Sequence, residues 1–259
     1  MDDSHKRILA ALRTIEEEHQ VRILYACESG SRAWEFASQD SDYDVRFLYV
    51  RSQEAYLKLD VPRDVIELPI VDDLDINGWD IFKALRLLRK SNPPLLEWLF
   101  SPIVYAENSP AITKLREVAR RGYASPAVFY HYRHMAYGNY HQYIEQKAEV
   151  PLKKYLYVLR PVIVLRFIEE HQSFPPTSFI QTLARVSLGQ SVREHINDLI
   201  ARKQAGGEMG MGVADPVLNA FIDEHLARWD KATIARYDNH AITQQLNEIL
   251  QEILDFLKH

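Results

Sequence analysis

Apolar positions fall into two regimes along the chain. Up to about residue 105, short dense apolar runs alternate with helical stripes; beyond 106, helical spacing takes over. Ile8, Leu12 and Ile15 recur at i, i+4, i+7, which predicts a helix over 4–19 with Ser4 as its N-cap. The runs at 21–27 and 43–50 are short and rich in branched and aromatic residues, as strands are. Residues 51–63 read as a polar connection containing Pro62. A third strand is expected over 65–71, with Pro69 placing it at an edge or marking its end. Ile81, Leu85 and Leu88 predict a helix over 78–90, whose last turn carries Arg86, Arg89 and Lys90 in accord with the helix dipole. Asn92-Pro93-Pro94 ends it, and a short helix over 95–100 and a short strand over 103–105 follow.

Further helices are expected over 111–121, 126–146 and 151–170, the last interrupted at Pro161. Two more fall between 178 and 203, and others over 216–229 and 241–257. The stretch over 204–214, with glycines from Gly206 to Gly212, reads as a flexible loop, because its glycines follow no strand and match no phosphate-loop spacing. The 126–146 helix is rich in aromatic residues and histidine. Its Tyr130, Tyr137 and Tyr140 suit either a packed core or stacking on a base. His131 and His134 stand at i, i+3, too few ligands for a zinc site. The pattern divides the chain at 105/106 into a sheet-bearing part and a helical part, an α+β organisation.

At 259 residues the chain is long enough for one large or two small domains, and 47% hydrophobic with 26% charged residues is ordinary globular composition. A net charge of −5 and a pI near 6.1 argue against broad, nonspecific nucleic-acid binding but leave room for a local basic groove. The one cysteine, Cys27, excludes an internal disulfide and fits a reducing compartment. The first residues lack a signal-peptide pattern, and no apolar run reaches the length of a membrane span. The expectation is a soluble cytoplasmic protein.

The chemistry concentrates in 27–50. Gly30-Ser31 directly follows the first strand, and Asp42-Tyr43-Asp44 leads into the second. Side chains alternate along a strand, so carboxylates two apart point the same way. A hard cation relieves their repulsion, and Mg²⁺ prefers oxygen ligands shared with phosphates and water. Gly30 permits close backbone approach and unusual φ. Ser31 offers a hydroxyl, and N–H groups opening the next short helix would face an anion. An Asp-x-Asp alone often only solvates a loop, and a Gly-Ser is ordinary turn chemistry; the joint pattern is far rarer.

Gly30-Ser31 followed by Asp42-Tyr43-Asp44 resembles the signature of the DNA polymerase β-like nucleotidyltransferase superfamily. The fuller run from Gly30 to Phe47 resembles its branch of bacterial and phage proteins of the RNA-ligase-associated, RNA-repair type. The blocks from Asn92 to Tyr105 and from Lys153 to Pro161 are similar to that branch too. The likeness is strong over about 21–105 and thin beyond about 170. Glu35 departs from it, standing where many relatives are expected to have Gly, and it adds negative charge near the phosphate turn.

The resemblance implies a mixed β-sheet nucleotidyltransferase domain over 1–105, flanked by helices, and an all-helical domain over 106–259. It implies transfer of a nucleoside monophosphate from an NTP to an acceptor hydroxyl, an RNA end, with release of pyrophosphate. The cofactor implied is Mg²⁺, with Mn²⁺ as substitute, held in a two-metal arrangement by Asp42, Asp44 and a third carboxylate on a neighbouring strand. Asp75 is the first candidate for that carboxylate, with Asp73 and Glu67 behind it and a helix-capping acidic loop as the bland reading of the stretch. Gly30, Ser31 and Arg32 would hold the phosphates. So would Lys153, Tyr157 and Arg160, which lie at i, i+4, i+7 and recur in the resembled branch. Two other readings stand beside this one: a nucleotide-binding module without turnover, and an enzyme that modifies protein or a small molecule.

Overall fold

The computed structural model describes residues 3–60, 62–122, 125–206, 209–230 and 240–256. Its described residues group into two units, one drawn from 1–33, 42–123 and 238–259, the other from 34–41 and 124–237.

The first unit is built on a five-stranded mixed sheet. Strands β1 (Val21–Glu28), β2 (Tyr43–Arg51), β3 (Val65–Glu67), β4 (Leu74–Asp80) and β5 (Val104–Glu107) lie in the order β3-β4-β2-β1-β5. β2 and β4 are parallel; the other pairs are antiparallel. β1 is buried almost end to end and β2 is buried from Phe47 to Val50, which explains their apolar runs. Helix α1 (Asp3–His19) lays Ile8, Leu12 and Ile15 against Ile23, Phe47, Tyr49 and Ile76 of the sheet. It already includes Ser4, so that residue sits inside the first turn rather than capping it. The four-residue helices α2 (Gly30–Ala33) and α3 (Gln53–Tyr56) lie in the connections beside β2. α4 (Ile81–Leu88) and α5 (Pro93–Leu99) also pack in this unit, where Trp79 of β4 stacks on Trp98 of α5 at 3.8 Å.

The helix expected over 78–90 starts later, because its first three residues are the end of a strand. Residues 74–80 are β4, and Asp80, accepting from the Phe82 N–H at 2.8 Å, caps the helix that follows. The third strand stops at Glu67, before Pro69; Val71 makes only a bridge to Leu74. Two helices beyond 106 belong to this first unit: α6 (Ala111–Arg121) and α12 (His240–Phe256), which pack on each other, with α12 also touching α4. The expected boundary at 105/106 is thus not where the units part, because the buried faces of α6 and α12 complete the first core. Residue 257, expected to end the last helix, lies outside the described residues.

The second unit is mostly helical. Its helices are α7 (Ser125–Tyr143), α8 (Leu152–His171), α9 (Phe179–Arg185), α10 (Gln190–Gln204) and α11 (Pro216–Asp230). It is not wholly so: β6 (Glu149–Pro151) and β7 (Met211–Val213) form a short antiparallel ribbon, so part of the expected Gly-rich loop is strand. α8 runs on through Pro161, buried on nearly all sides. Trp34–Ser41, the stretch between the Gly-Ser turn and β2, belongs to this unit: the Phe179 N–H donates to the Trp34 carbonyl at 3.0 Å.

Buried His225 makes the second unit sensitive to acid. Its Nδ1 donates to the Phe221 carbonyl at 2.8 Å, so Nε2 accepts from Arg166 at 2.6 Å and the ring is neutral. Burial, with repulsion from Arg166, holds its pKa below the usual 6.5. Below that value the unfolded chain binds a proton that the folded chain refuses, so stability present above 6.5 drains as pH falls. Thermal unfolding of wild type is expected at lower temperature at pH 5 than at pH 7, with a smaller gap in His225→Gln. Equal gaps would remove His225 from this role.

Candidate active site

The exit of β1 is fastened to β2 at one residue. The Ser29 N–H donates to the Asp44 carbonyl at 2.8 Å, and the Asp44 N–H donates to Glu28 Oε1 at 2.7 Å. Glu28 Oε2 takes a further hydrogen bond from the Tyr105 hydroxyl. The Glu28 side chain is fully buried, and burial pushes its pKa up to about 6 against the pull of these two donors. Between the strands the chain turns through Gly30 at φ +57°, the left-handed region. A Cβ here would stand 1.9 Å from Asp44 Oδ2, so only glycine lets the turn lie on that carboxylate.

Asp75 sits directly beside Asp44. The parallel register of β2 and β4 pairs Asp44 with Asp75. Arg46, two residues on and so on the same face as Asp44, donates through Nη2 to Asp44 Oδ1 at 3.0 Å and to Asp75 Oδ2 at 2.8 Å. Its Nη1 donates to the Asp75 carbonyl at 2.8 Å. Burial raises the pKa of Asp44; Arg46 counters this, and the charges of Asp75 and Asp42 add to it. Asp42, exposed just before β2, is thus within electrostatic reach of Asp44. The other two candidates for the third carboxylate are engaged elsewhere. Asp73 accepts from Arg7 at 2.8 Å, and Glu67 sits on β3 with Arg63 and Asn77.

The donor set is carboxylate oxygen throughout, which is the chemistry of a hard divalent cation. Among the described residues, though, no three carboxylate, histidine or cysteine side chains are gathered ready for a metal. At this site the Arg46 guanidinium lies between Asp44 and Asp75 and supplies positive charge there.

The remaining predicted residues fall in different settings. Ser31 lies half-buried in α2. Arg32 donates from Nε to the Asp42 carbonyl at 3.2 Å and lies 3.9 Å over the Tyr43 ring, bracing the motif. On α8 the expected basic stripe is not one open face: Lys153 is exposed, Tyr157 half-buried and Arg160 buried. The Arg160 guanidinium lies 4.0 Å from the Trp34 ring centre, and Tyr157 meets the same ring edge-on. Glu35 has φ +67°, a conformation that suits the glycine expected there, and its carboxylate accepts from Ser178. Tyr130 and Tyr137 are half-exposed and packed on His134 and His141, whereas Tyr140 is buried.

Glu28, Arg46 and Tyr105 were not singled out by sequence reasoning. Two of them left a signal. Glu28 is a carboxylate ending a buried apolar strand, and Arg46 continues the two-residue spacing of Asp42 and Asp44.

A protein from Bacillus subtilis (strain 168), the uncharacterized protein YcgL, is 42% identical over 246 residues, covering 95% of this chain and 94% of its own. The crystal structure of a nucleotidyltransferase-like protein from Exiguobacterium sibiricum 255-15 matches over 94% of this chain and 74% of that one. The two chains are 13% identical, with a TM-score of 0.32. Among the described residues no helix is long and apolar enough to cross a membrane. The model of the RNA repair pathway DNA polymerase beta family (RlaP) matches residues 4–252, nearly the whole length, and the chain belongs to that family.

Proposed function

We propose that the protein is a divalent-cation-dependent nucleotidyltransferase that moves a nucleoside monophosphate from an NTP to the hydroxyl of an RNA end. The observation that carries the reading is the pairing of Asp44 with Asp75 across parallel strands, under a glycine turn that only a bare Cα can make. In the reaction the acceptor hydroxyl oxygen bonds to the α-phosphorus, the bond to pyrophosphate breaks, and the hydroxyl proton is released. Asp42, Asp44 and Asp75 would hold Mg²⁺, which supplies activation of the hydroxyl and charge relief for the departing pyrophosphate. Gly30 and Ser31 bring backbone and hydroxyl to the triphosphate. Glu28 fixes the Asp44 backbone, and Arg46 fixes both carboxylates and limits their repulsion. Tyr157 and Arg160 take no part in this reading, since both are engaged on Trp34.

The RNA acceptor rests on the family description, which names an RNA repair pathway. A second reading draws on Arg46: a guanidinium held by two carboxylates suits a module that binds nucleotide without turnover. The test supplies each α-labelled NTP with short RNAs, with and without Mg²⁺. Label on RNA that EDTA abolishes is expected. Nucleotide binding with no transfer to any RNA would overturn the enzyme reading in favour of the module, and label on protein instead would replace the acceptor.

A further inference from the structure

Helix α7 repeats one pair of rings. Tyr130 is followed four residues on by His134, and Tyr137 by His141. Residues four apart are neighbours on a helix, and seven residues return the chain to the same face about 10.5 Å further on. All four side chains are exposed, Tyr130 at 48% and Tyr137 at 49%. In each pair the rings meet edge-on, with centroids 4.4 Å and 4.1 Å apart. Edge-on contact covers one face of one ring at most, so each pair still offers π-faces to a partner. A different face of the helix, with Val128, Tyr132, Ala136 and Tyr140, enters the core.

Helix formation does not ask for this face. Tyr, His and Gly are weaker helix formers than Ala, Lys or Glu, which suit an exposed position better. Gly138 lies between the pairs, at i+4 from His134 and i−3 from His141. A Cβ there would meet nothing within 4 Å, so the bare Cα leaves a low, open floor beside the rings. The helix also contributes no negative charge: α7 carries no Asp or Glu, although the chain has 36. Glu145, just beyond it, is taken by His141, and Asp223 of α11 reaches α7 at Tyr140, which is buried. Arg133 brings a guanidinium over the Tyr130 ring at 5.7 Å.

Planar rings in a repeat, on a helix without carboxylates, suit a polymer of planar rings on an anionic backbone. A protein helix laid here would need aliphatic side chains to interdigitate with, and the four positions hold none. We propose that the Tyr130–His134 and Tyr137–His141 pairs form a stacking platform for the bases of a single-stranded RNA. Stacked bases rise about 3.4 Å per step, so the pairs stand roughly three steps apart and a strand of about four nucleotides reaches both. Taking the strand to be RNA rests on the proposed function. The stacking itself does not, since every base has a π-face.

The test measures binding of a labelled short single strand, as RNA and as DNA, in EDTA and without NTP, so that no transfer can occur. The RNA strand is expected to bind about tenfold more tightly than the duplex of the same sequence, whose bases already stack on each other. Tyr130→Ala and Tyr137→Ala should each weaken binding about tenfold, the scale of one lost base stack. Tyr130→Phe and Tyr137→Phe keep the ring and should stay within about twofold of wild type. Leucine at either position keeps apolar area without a π-face and should lose as much as alanine. These positions are exposed, so thermal unfolding should not move in any of the variants. Binding unmoved by both alanines overturns the proposal, and so does leucine binding as well as tyrosine or duplex binding as well as single strand. Self-association of the chain that either alanine abolishes, with no strand bound, would make the face a protein contact instead. A preference for the DNA strand would overturn RNA as the ligand. A single strand bound as expected by a protein that transfers no label leaves the platform standing while the proposed reaction falls.

Discussion

Asp44→Asn and Asp75→Asn are each expected to lower nucleotidyl transfer by about 10³-fold or more, the scale of losing a preorganised electrostatic contact at the reacting centre. Asp73→Asn and Glu67→Gln should stay within a few-fold of wild type. The contrast follows from placement. Asp75 is beside Asp44 in the parallel register and shares Arg46 with it, while Asp73 is held by Arg7 and Glu67 by its neighbours on the sheet edge. Stability should separate from activity. Burial raises the Asp44 pKa, so ionisation at neutral pH opposes folding at this site. An amide of the same shape removes that charge and still accepts from Arg46, so Asp44→Asn should unfold at the same temperature as wild type or higher. Such a trade is the mark of a group retained for chemistry. Initial transfer rates with labelled NTP and thermal unfolding curves check both halves. Activity in folded Asp44→Asn would sink the carboxylate assignment, and loss in Asp73→Asn with activity in Asp75→Asn would move the third ligand.

What could be read beforehand depended on how local the physics was. β1 and β2 show in the sequence because burial on both faces leaves nearly unbroken apolar runs. β4 did not, and Phe47 is the reason. Where alternation calls for an apolar residue at 78, the chain has glycine, because the Phe47 ring of the paired strand fills that place; a Cβ on Gly78 would meet it at 2.1 Å. The helical stripe downstream then absorbed the strand. The Gly-Ser turn and the Asp-x-Asp pair were legible because both lie within one β-turn-β segment. Arg46 was visible by spacing alone, yet its link to Asp75 needed the register of two strands 29 residues apart. On α8, helical periodicity was right but could not say which side is open, since that helix is buried nearly all round. Arg160 is covered by Trp34, a residue 126 positions away whose placement in the second unit no local pattern announces.

Gly30→Ala tests the turn rather than the carboxylates. It is expected to cost about 10²-fold in transfer rate, the penalty for displacing a reacting group by roughly 1 Å. Two effects combine in it. At φ +57° an alanine carries a left-handed penalty of about 1–2 kcal/mol. Its methyl would also sit 1.9 Å from Asp44 Oδ2, so the carboxylate or the turn must give way. Gly206→Ala isolates the first effect. It too has positive φ, at +89°, but nothing lies within 4 Å of the added Cβ. Both variants should therefore lose some stability through the backbone, while only Gly30→Ala loses activity. The clash displaces the Asp44 carboxylate or the turn, so the defect should fall on the rate, and nucleotide binding measured without divalent cation tells the two apart, since only a displaced turn weakens it. A Gly30→Ala protein that transfers nucleotide within a few-fold of wild type would show that contact between the turn and Asp44 is not required. The close approach would then be only a consequence of packing β1 against β2.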